Sequence, residues 1–234
     1  MQLFYNSEIS ESTDHFQFSK DDSRHIIKVL RKQEGDNLSI TNGSGWVFDA
    51  KIISADPKKC KVQILTKHQS QPSSYKLHLA VAPTKMNDRY EWLLEKATEI
   101  GLSSITPIIC DRSERKTIKS ERFEKVLQSA MKQSLQYHLP KLRPLVSFKE
   151  FLSQDHNGQT FIAHCEDSNR ESLKSVLKSG TEVWILIGPE GDFTVKEIEM
   201  ALLHNFIPVT LGATRLRTET AAIVACHTVA LINE

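Results

Sequence analysis

Over the first 66 or so residues, apolar positions alternate with polar ones in short runs. Leu38 and Ile40 lead into Asn42-Gly43, a turn signal, and then into Trp46-Val47-Phe48-Asp49-Ala50-Lys51-Ile52-Ile53 and Lys61-Val62-Gln63-Ile64-Leu65. A period of two with turn residues between runs predicts half-buried strands joined by hairpins, a barrel-like β pattern. Ser19-Lys20-Asp21-Asp22 has the form of a capping box and predicts one short helix through Ile26, Ile27 and Leu30. Lys67-His68-Gln69-Ser70-Gln71-Pro72-Ser73-Ser74 is polar and without period, and is read as a linker.

From residue 75 the period changes. Lys76 to Ala82, Ile105 to Ile109 and Phe161 to His164 read as strands. Tyr90, Leu93, Leu94, Ala97 and Ile100, then Phe123, Val126, Leu127, Ala130 and Met131, follow helical spacing. Val183-Trp184-Ile185-Leu186-Ile187 is an unbroken apolar run, as a strand buried on both faces of a parallel sheet requires. Thr194 to Glu197 is a second capping box, Val209-Thr210-Leu211 a further strand, and Glu219 to Leu231 an apolar closing helix. Alternating strands and helices predict an α/β fold with a parallel sheet. The division expected is a small β unit at 1–66, a linker at 67–74 and an α/β domain at 75–234.

Two glycine-containing turns follow two of these strands: Gly188-Pro189-Glu190-Gly191 after Ile187, and Leu211-Gly212-Ala213 after Thr210. Ligands bind outside the carboxyl ends of strands in open α/β sheets, so the two turns predict one shared pocket. Pro189 fixes its own φ, and the flanking glycines are free to take φ > 0, which would present backbone groups at fixed positions to a ligand. Neither G-x-G-x-x-G nor G-x-x-x-x-G-K-[ST] is present, so dinucleotide and triphosphate cradles are not expected.

Composition narrows the classes further. A chain of 234 residues, 39% hydrophobic and 25% charged, has room for one large domain or two and an ordinary globular balance. No stretch approaches the ~20 apolar residues of a membrane span, and the N-terminus lacks an export pattern, so a cytoplasmic location is expected. Cys60, Cys110, Cys165 and Cys226 are far apart, without zinc spacing, and read as reduced thiols. Net charge is only +1, yet it is unevenly spread: 10 basic against 9 acidic residues in 1–74, 13 against 8 in 75–145, and 7 against 12 in 146–234. The basic middle is a candidate phosphate-binding surface.

Four motifs stand in order along the chain. They are Arg24-His25 with Val29-Leu30-Arg31 and Gly35-Asp36; Glu95-Lys96-Ala97-Thr98-Glu99-Ile100-Gly101; Gly188 to Gly191; and Leu216-Arg217-Thr218-Glu219-Thr220-Ala221. Together they resemble the small-subunit ribosomal RNA methyltransferase E family, within the knotted SPOUT class. Two departures are visible: the family's second glycine after Gly191 is Asp192, and its Glu-Gln-x-x-Arg pattern reads Lys132-Gln133-Ser134-Leu135-Gln136.

The resemblance implies a PUA-like RNA-binding β-barrel followed by a SPOUT domain threaded as a trefoil knot, which ordinary topology rules would exclude. It implies S-adenosylmethionine held by three loops, at His164-Cys165-Glu166, at Ile187, Gly188, Pro189, Glu190 and Gly191, and from Leu211 to Arg217, with Leu211, Gly212, Leu216 and Arg217 as its contacts. It implies methylation of N3 of a uridine in 16S ribosomal RNA, free or in the 30S particle, by a homodimer that uses the closing helix around Ala221 to Ala225. No metal is implied.

Uridine N3 becomes a good nucleophile only without its proton. Arg217 is the candidate to stabilise the resulting anion, and Glu219 to orient Arg217 or, less favoured, to take the proton. Arg24, His25 and Arg31 in the β unit, with Arg112, Arg115, Lys116 and Lys119 after a strand, are candidate phosphate contacts. Two alternatives share these features: a SPOUT ribose 2′-O-methyltransferase, and an RNA-binding assembly factor without turnover.

Overall fold

The structure, a computed structural model, describes residues 2–166 and 169–234. They form two compact units, one of the described residues up to 72 with 131–139, the other of 73–130 with the described residues from 140 to 234.

In the first unit the chain forms β1 (Leu3–Tyr5), β2 (His15–Gln17), α1 (Lys20–Arg24), β3 (Asn37–Thr41), β4 (Trp46–Ser54) and β5 (Lys61–Gln69). These strands make one sheet in the order β1-β3-β4-β5-β2, antiparallel except for β1 beside β3. Phe48, Ala50 and Ile52 of β4 and Val62 and Ile64 of β5 join Phe4, Phe18, Ile26 and Ile40 in its core, as the alternation requires. Ser19 caps α1 by accepting the Asp22 N–H. Beyond Arg24 the helix widens into a π turn, His25–Val29, in which Leu30 N bonds His25 O at 3.0 Å. Arg31, at φ 56°, ends it. Arg24 and Arg31 are exposed, and His25 bonds Gln2 at 3.0 Å.

Two sequence expectations need correcting here. Lys67, His68 and Gln69 are not linker but the end of β5, opposite Phe48, Val47 and Trp46. Both their faces are exposed, so backbone pairing alone makes the strand and no apolar period reports it. Residues 131–139 belong with the β sheet, because Tyr137 O accepts the Gly45 N–H at 2.9 Å and Leu139 N donates to Gly43 O at 2.8 Å.

The second unit contains β6 (Lys76–Val81), α2 (Asn87–Ile100), β7 (Ser104–Ile109), most of α3 (Ser120–Gln133), β8 (Lys141–Leu142), β9 (Val146–Ser147) and α4 (Phe148–Leu152). There follow β10 (Gln159–Ala163), β11 (Glu171–Ser172), α5 (Leu173–Val176), β12 (Glu182–Ile187), α6 (Val195–Leu203), β13 (Ile207–Thr210) and α7 (Thr218–Asn233). All strand pairs are parallel, in the order β11-β13-β10-β12-β6-β7-β8, with β9 also on β7. The fold class is therefore α/β with a parallel sheet.

Leu186, Trp184, Ala80, Ile108 and Ile162 of the strands, with Ala82 just beyond β6, pack against Phe148, Phe151, Phe193, Ile198 and Phe206. Gly101 in the left-handed region ends α2, and the Thr194–Glu197 box starts α6. From β12 the chain passes through α6 to β13, on the far side of β10, and α7 then returns to pack on β12, β6, α2 and α5. That return is where the resemblance places the knot. No helix among the described residues is long and apolar enough to cross a membrane.

Candidate functional site

The strand order puts the carboxyl ends of β13, β10 and β12 side by side, and a cavity of about 600 Å³ opens there. Its wall is built from the three loops that leave those strands. His164, Ile187, Gly188, Pro189, Glu190, Leu211, Gly212, Leu216 and Arg217 all line it. Cys165 lines it too, whereas Gly191 and Glu219 lie outside the lining.

The second loop is shaped differently from the glycine argument. Gly188 and Gly191 do not have positive φ; Asp192 does, at 62°. The glycines serve close approach instead. A Cβ on Gly188 would sit 3.2 Å from the Phe193 ring and backbone N, and one on Gly191 would sit 3.3 Å from Arg112 Cβ. Asp192 thus takes the backbone conformation that a glycine adopts most easily, and an aspartate tolerates it because its short polar side chain bonds locally. Its carboxylate accepts the Phe193 N–H at 2.8 Å and, from the first loop, the Cys165 N–H at 2.7 Å.

Gly188 O accepts a hydrogen bond from the buried Thr218 Oγ1 at 3.0 Å, which fixes the start of α7 to the end of β12. A separate set of bonds holds the far side of the second loop. Glu197 Oε1 accepts the Asp111 N–H at 2.8 Å, Thr194 Oγ1 donates to Asp111 Oδ2 at 3.3 Å, and Arg112 Nη1 donates to Gly191 O at 2.7 Å. Arg112 therefore braces the loop, in contrast to the phosphate contact expected of it. The side chains of Arg115, Lys116 and Lys119 make no hydrogen bond or ion pair among the described residues, and Lys116 and Lys119 are exposed.

Electrostatics divide the wall. Arg170, Arg215 and Arg217 bring positive charge, Glu190 and Asp192 negative. Arg170 donates to His164 O. His164 is 5% exposed, yet neither ring nitrogen has a partner. Burial holds its pKa below the ordinary imidazole value, with Arg170 adding to the effect and Asp192 and Glu166 opposing it. Burial, then the Asp192 charge, raises the Cys165 thiol.

Arg217 immediately precedes α7 and is exposed; its carbonyl accepts the Ala221 N–H at 2.8 Å, while its guanidinium has no hydrogen bond or ion pair among the described residues. Glu219 is 7% exposed and its neighbour is Arg89 of α2, with Arg89 Nε 3.9 Å from Oε1 and Oε2 unpaired. The expected orientation of Arg217 by Glu219 is thus replaced by a Glu219–Arg89 pair. Residues 218 and 221 face the cavity, and residue 219 on the same helix is turned away from it.

Sequence reasoning missed Arg170, Asp192 and Thr218 as wall residues, while Arg215 falls within the loop expected at 211–217. Only Asp192 carried a signal, as the position where the motif departs from glycine. Arg170 reaches the wall through a loop with no period.

Two family models match in chain order: an RNA methyltransferase PUA domain over residues 18–65 and an RNA methyltransferase domain over residues 71–230. The ribosomal RNA small subunit methyltransferase E of Buchnera aphidicola is 32% identical over 221 residues, 91% of this chain and 86% of the relative. That of Bacillus subtilis is 27% identical, over 96% and 93% of the two chains. A crystal structure described as a probable rRNA-methyltransferase from Porphyromonas gingivalis is 40% identical, with TM-score 0.93 over 100% of this chain and 98% of that one. A structure from Legionella pneumophila in complex with the bound cofactor SAM is 28% identical, with TM-score 0.87 over 99% and 97%. The chain belongs to the RNA methyltransferase family with an N-terminal PUA domain, and within it to the ribosomal RNA small subunit methyltransferase E group.

Proposed function

We propose that the protein transfers the methyl group of S-adenosylmethionine to N3 of a uridine in small-subunit ribosomal RNA. The observation that carries this reading is the three-loop cavity, which joins an unpartnered buried imidazole to a free guanidinium, Arg217, in one wall. The fit to the donor is chemical. His164 offers ring nitrogens that lack partners, an orphaned state that a buried polar group rarely keeps, and an adenosyl group carries complementary donors and acceptors. The cations Arg170 and Arg215 suit the donor's carboxylate, and Gly188, Pro189, Leu211 and Gly212 bring backbone and apolar surface. When bound, the donor supplies a methyl group on a cationic sulfur.

The chain's own contribution is to favour the uracil anion. Arg217 has a fixed fork of donors that suits a uracil oxygen whose negative charge grows as the N3 proton leaves. That proton passes to solvent, since Glu219 is turned toward Arg89. Glu219 acts instead as a positioning residue, holding the first turn of α7 beside α2 and with it the residue that precedes the helix. Arg24, His25 and Arg31 of the PUA unit, and Arg115 and Lys116 of the second unit, are the proposed phosphate contacts.

The active form proposed is a cytoplasmic homodimer. Helix α7 is apolar on most sides, and Ile223, Val224 and Leu231 keep exposed surface that a second copy would cover.

Single-turnover transfer of labelled methyl from the donor to 30S particles tests the reading. Arg217→Ala should lose ~10²-fold or more in rate, the loss typical of one transition-state donor, with donor affinity little changed. Arg217→Lys should recover part of it, because a point charge lacks the fork. Equal rates for Arg217→Ala and the wild type would remove Arg217 from the chemistry.

A further inference from the structure

We propose that Asp192 is the residue by which the cavity distinguishes the cationic donor from the neutral product, its carboxylate supplying counter-charge for the sulfonium. The inference rests on the transferase reading above and adds to it a determinant of donor against product affinity.

Asp192 is an anion held in a fixed place. Its backbone N donates to Pro189 O at 2.9 Å, its φ is 62°, and its two oxygens each accept a backbone N–H, from Cys165 and from Phe193. The side chain cannot swing out of the wall without breaking a bond to each of two loops. Yet no cation pairs with it: none of the ion pairs among the described residues includes Asp192. The other acid of the wall, Glu190, is exposed and accepts the Lys85 N–H at 2.9 Å, which turns that oxygen toward the start of α2. Asp192 is therefore the half-buried negative charge of the cavity that has no cationic partner.

A charge held in such a wall favours a ligand of opposite sign, and by more than it would in water because the screening is weaker. S-adenosylmethionine carries two positive charges, a sulfonium and an ammonium, and one carboxylate. Loss of the methyl group leaves a thioether, so the product S-adenosylhomocysteine lacks the sulfonium charge and keeps the other two. A wall acid that faced the ammonium would hold donor and product alike. One that serves the sulfonium holds the donor better and releases the product.

The test is the ratio of calorimetric affinities for S-adenosylmethionine and S-adenosylhomocysteine, measured on the full chain. Asp192→Gly keeps the backbone conformation and removes the charge; Asp192→Asn keeps the shape and the tolerance of positive φ. Both should lower the donor-to-product affinity ratio by about tenfold, the effect of one unit charge acting across several ångströms of partly screened protein. In the wild type, an analogue with a protonated amine in place of the sulfonium should bind like the donor, a reading that needs no variant. Equal weakening of donor and product in the variants, or product-like binding of the amine analogue, overturns the inference and leaves the transferase reading standing. A wild-type protein that binds neither nucleoside overturns both.

Discussion

Thr218 Oγ1 lies 3.0 Å from Gly188 O, so the first residue of the last helix is bonded to the first residue after β12, thirty positions earlier. Both residues line the cavity, and both are buried. The bond decides where α7 begins, and α7 begins directly after Arg217. Replacing Thr218 with Val keeps the shape and removes the donor, leaving a buried carbonyl without its partner. The expected cost is ~1–3 kcal/mol, read as a lower urea midpoint, together with weaker donor binding by calorimetry. An unchanged midpoint would mean that water replaces the hydroxyl at no cost.

The two cavity glycines should fail for different reasons. At Gly188 an added methyl meets the Phe193 ring and backbone at 3.2 Å, and Phe193 is fully buried against Phe148. Gly188→Ala therefore crowds a packed wall and should cost ~1–3 kcal/mol, with donor affinity reduced as well. At Gly212 nothing lies within 4 Å of the added atom, but φ is 147°. Gly212→Ala should cost ~1–3 kcal/mol through backbone strain and change donor affinity only as far as the loop shifts. Denaturation and calorimetry on the two variants separate the cases; Gly188→Ala binding the donor at wild-type affinity would contradict the close-approach account.

How much of this site is legible in the sequence depends on which force fixes each residue. The strands β6, β10 and β12 are buried runs, and burial writes itself into the sequence, so the two turns and their shared cavity can be read. The loop conformation cannot. Whether Gly188 or Asp192 carries the positive φ is decided by Phe193 and Cys165, which the motif does not mention. The same holds for Arg112: its basic neighbours suggest phosphate, and only Gly191 O and Glu197 reveal the loop it braces. Strand β5 reads as ending at Leu65 because its last residues are held by backbone pairing with Trp46 to Phe48, which leaves no apolar period.

Salt dependence distinguishes the basic residues after β7. Replacing Arg115 and Lys116 with Ala should reduce the slope of log RNA affinity against log salt by ~0.7–0.9 for each phosphate that is no longer neutralised. Arg112→Ala should leave that slope alone and weaken donor binding, since its guanidinium bonds Gly191 O. A slope change for Arg112→Ala equal to that of Lys116→Ala would return Arg112 to the phosphate surface.

Acid should weaken the second unit through His78. This buried imidazole bonds Ser104 Oγ at 2.6 Å and stacks on Trp184 at 4.1 Å, and its Nε2 is 3.0 Å from Glu182 Oε1. Burial lowers its pKa from 6.5 to about 4, with Arg143 and Lys76 adding and Glu182 opposing. Below pH 6.5 the unfolded chain takes up a proton that the folded chain refuses, so stability falls between pH 6.5 and about 4. The full shift corresponds to roughly 3 kcal/mol. His156, also lowered by burial and by Arg143, acts in the same direction. The urea midpoint should drop from about pH 7.5 to about pH 5 by more in the wild type than in His78→Gln; an equal drop in both would assign the acid sensitivity elsewhere.

The chemistry itself is settled by the identity of the product nucleoside. Small subunits from cells that lack this protein would be incubated with the purified chain and S-adenosylmethionine, then digested to nucleosides and analysed by mass spectrometry against standards. The account predicts 3-methyluridine, formed only when the protein and donor are both present and formed ~10²-fold or more slowly by Arg217→Ala. A ribose-methylated nucleoside, or no methylated product from a chain that binds both donor and RNA, would contradict it.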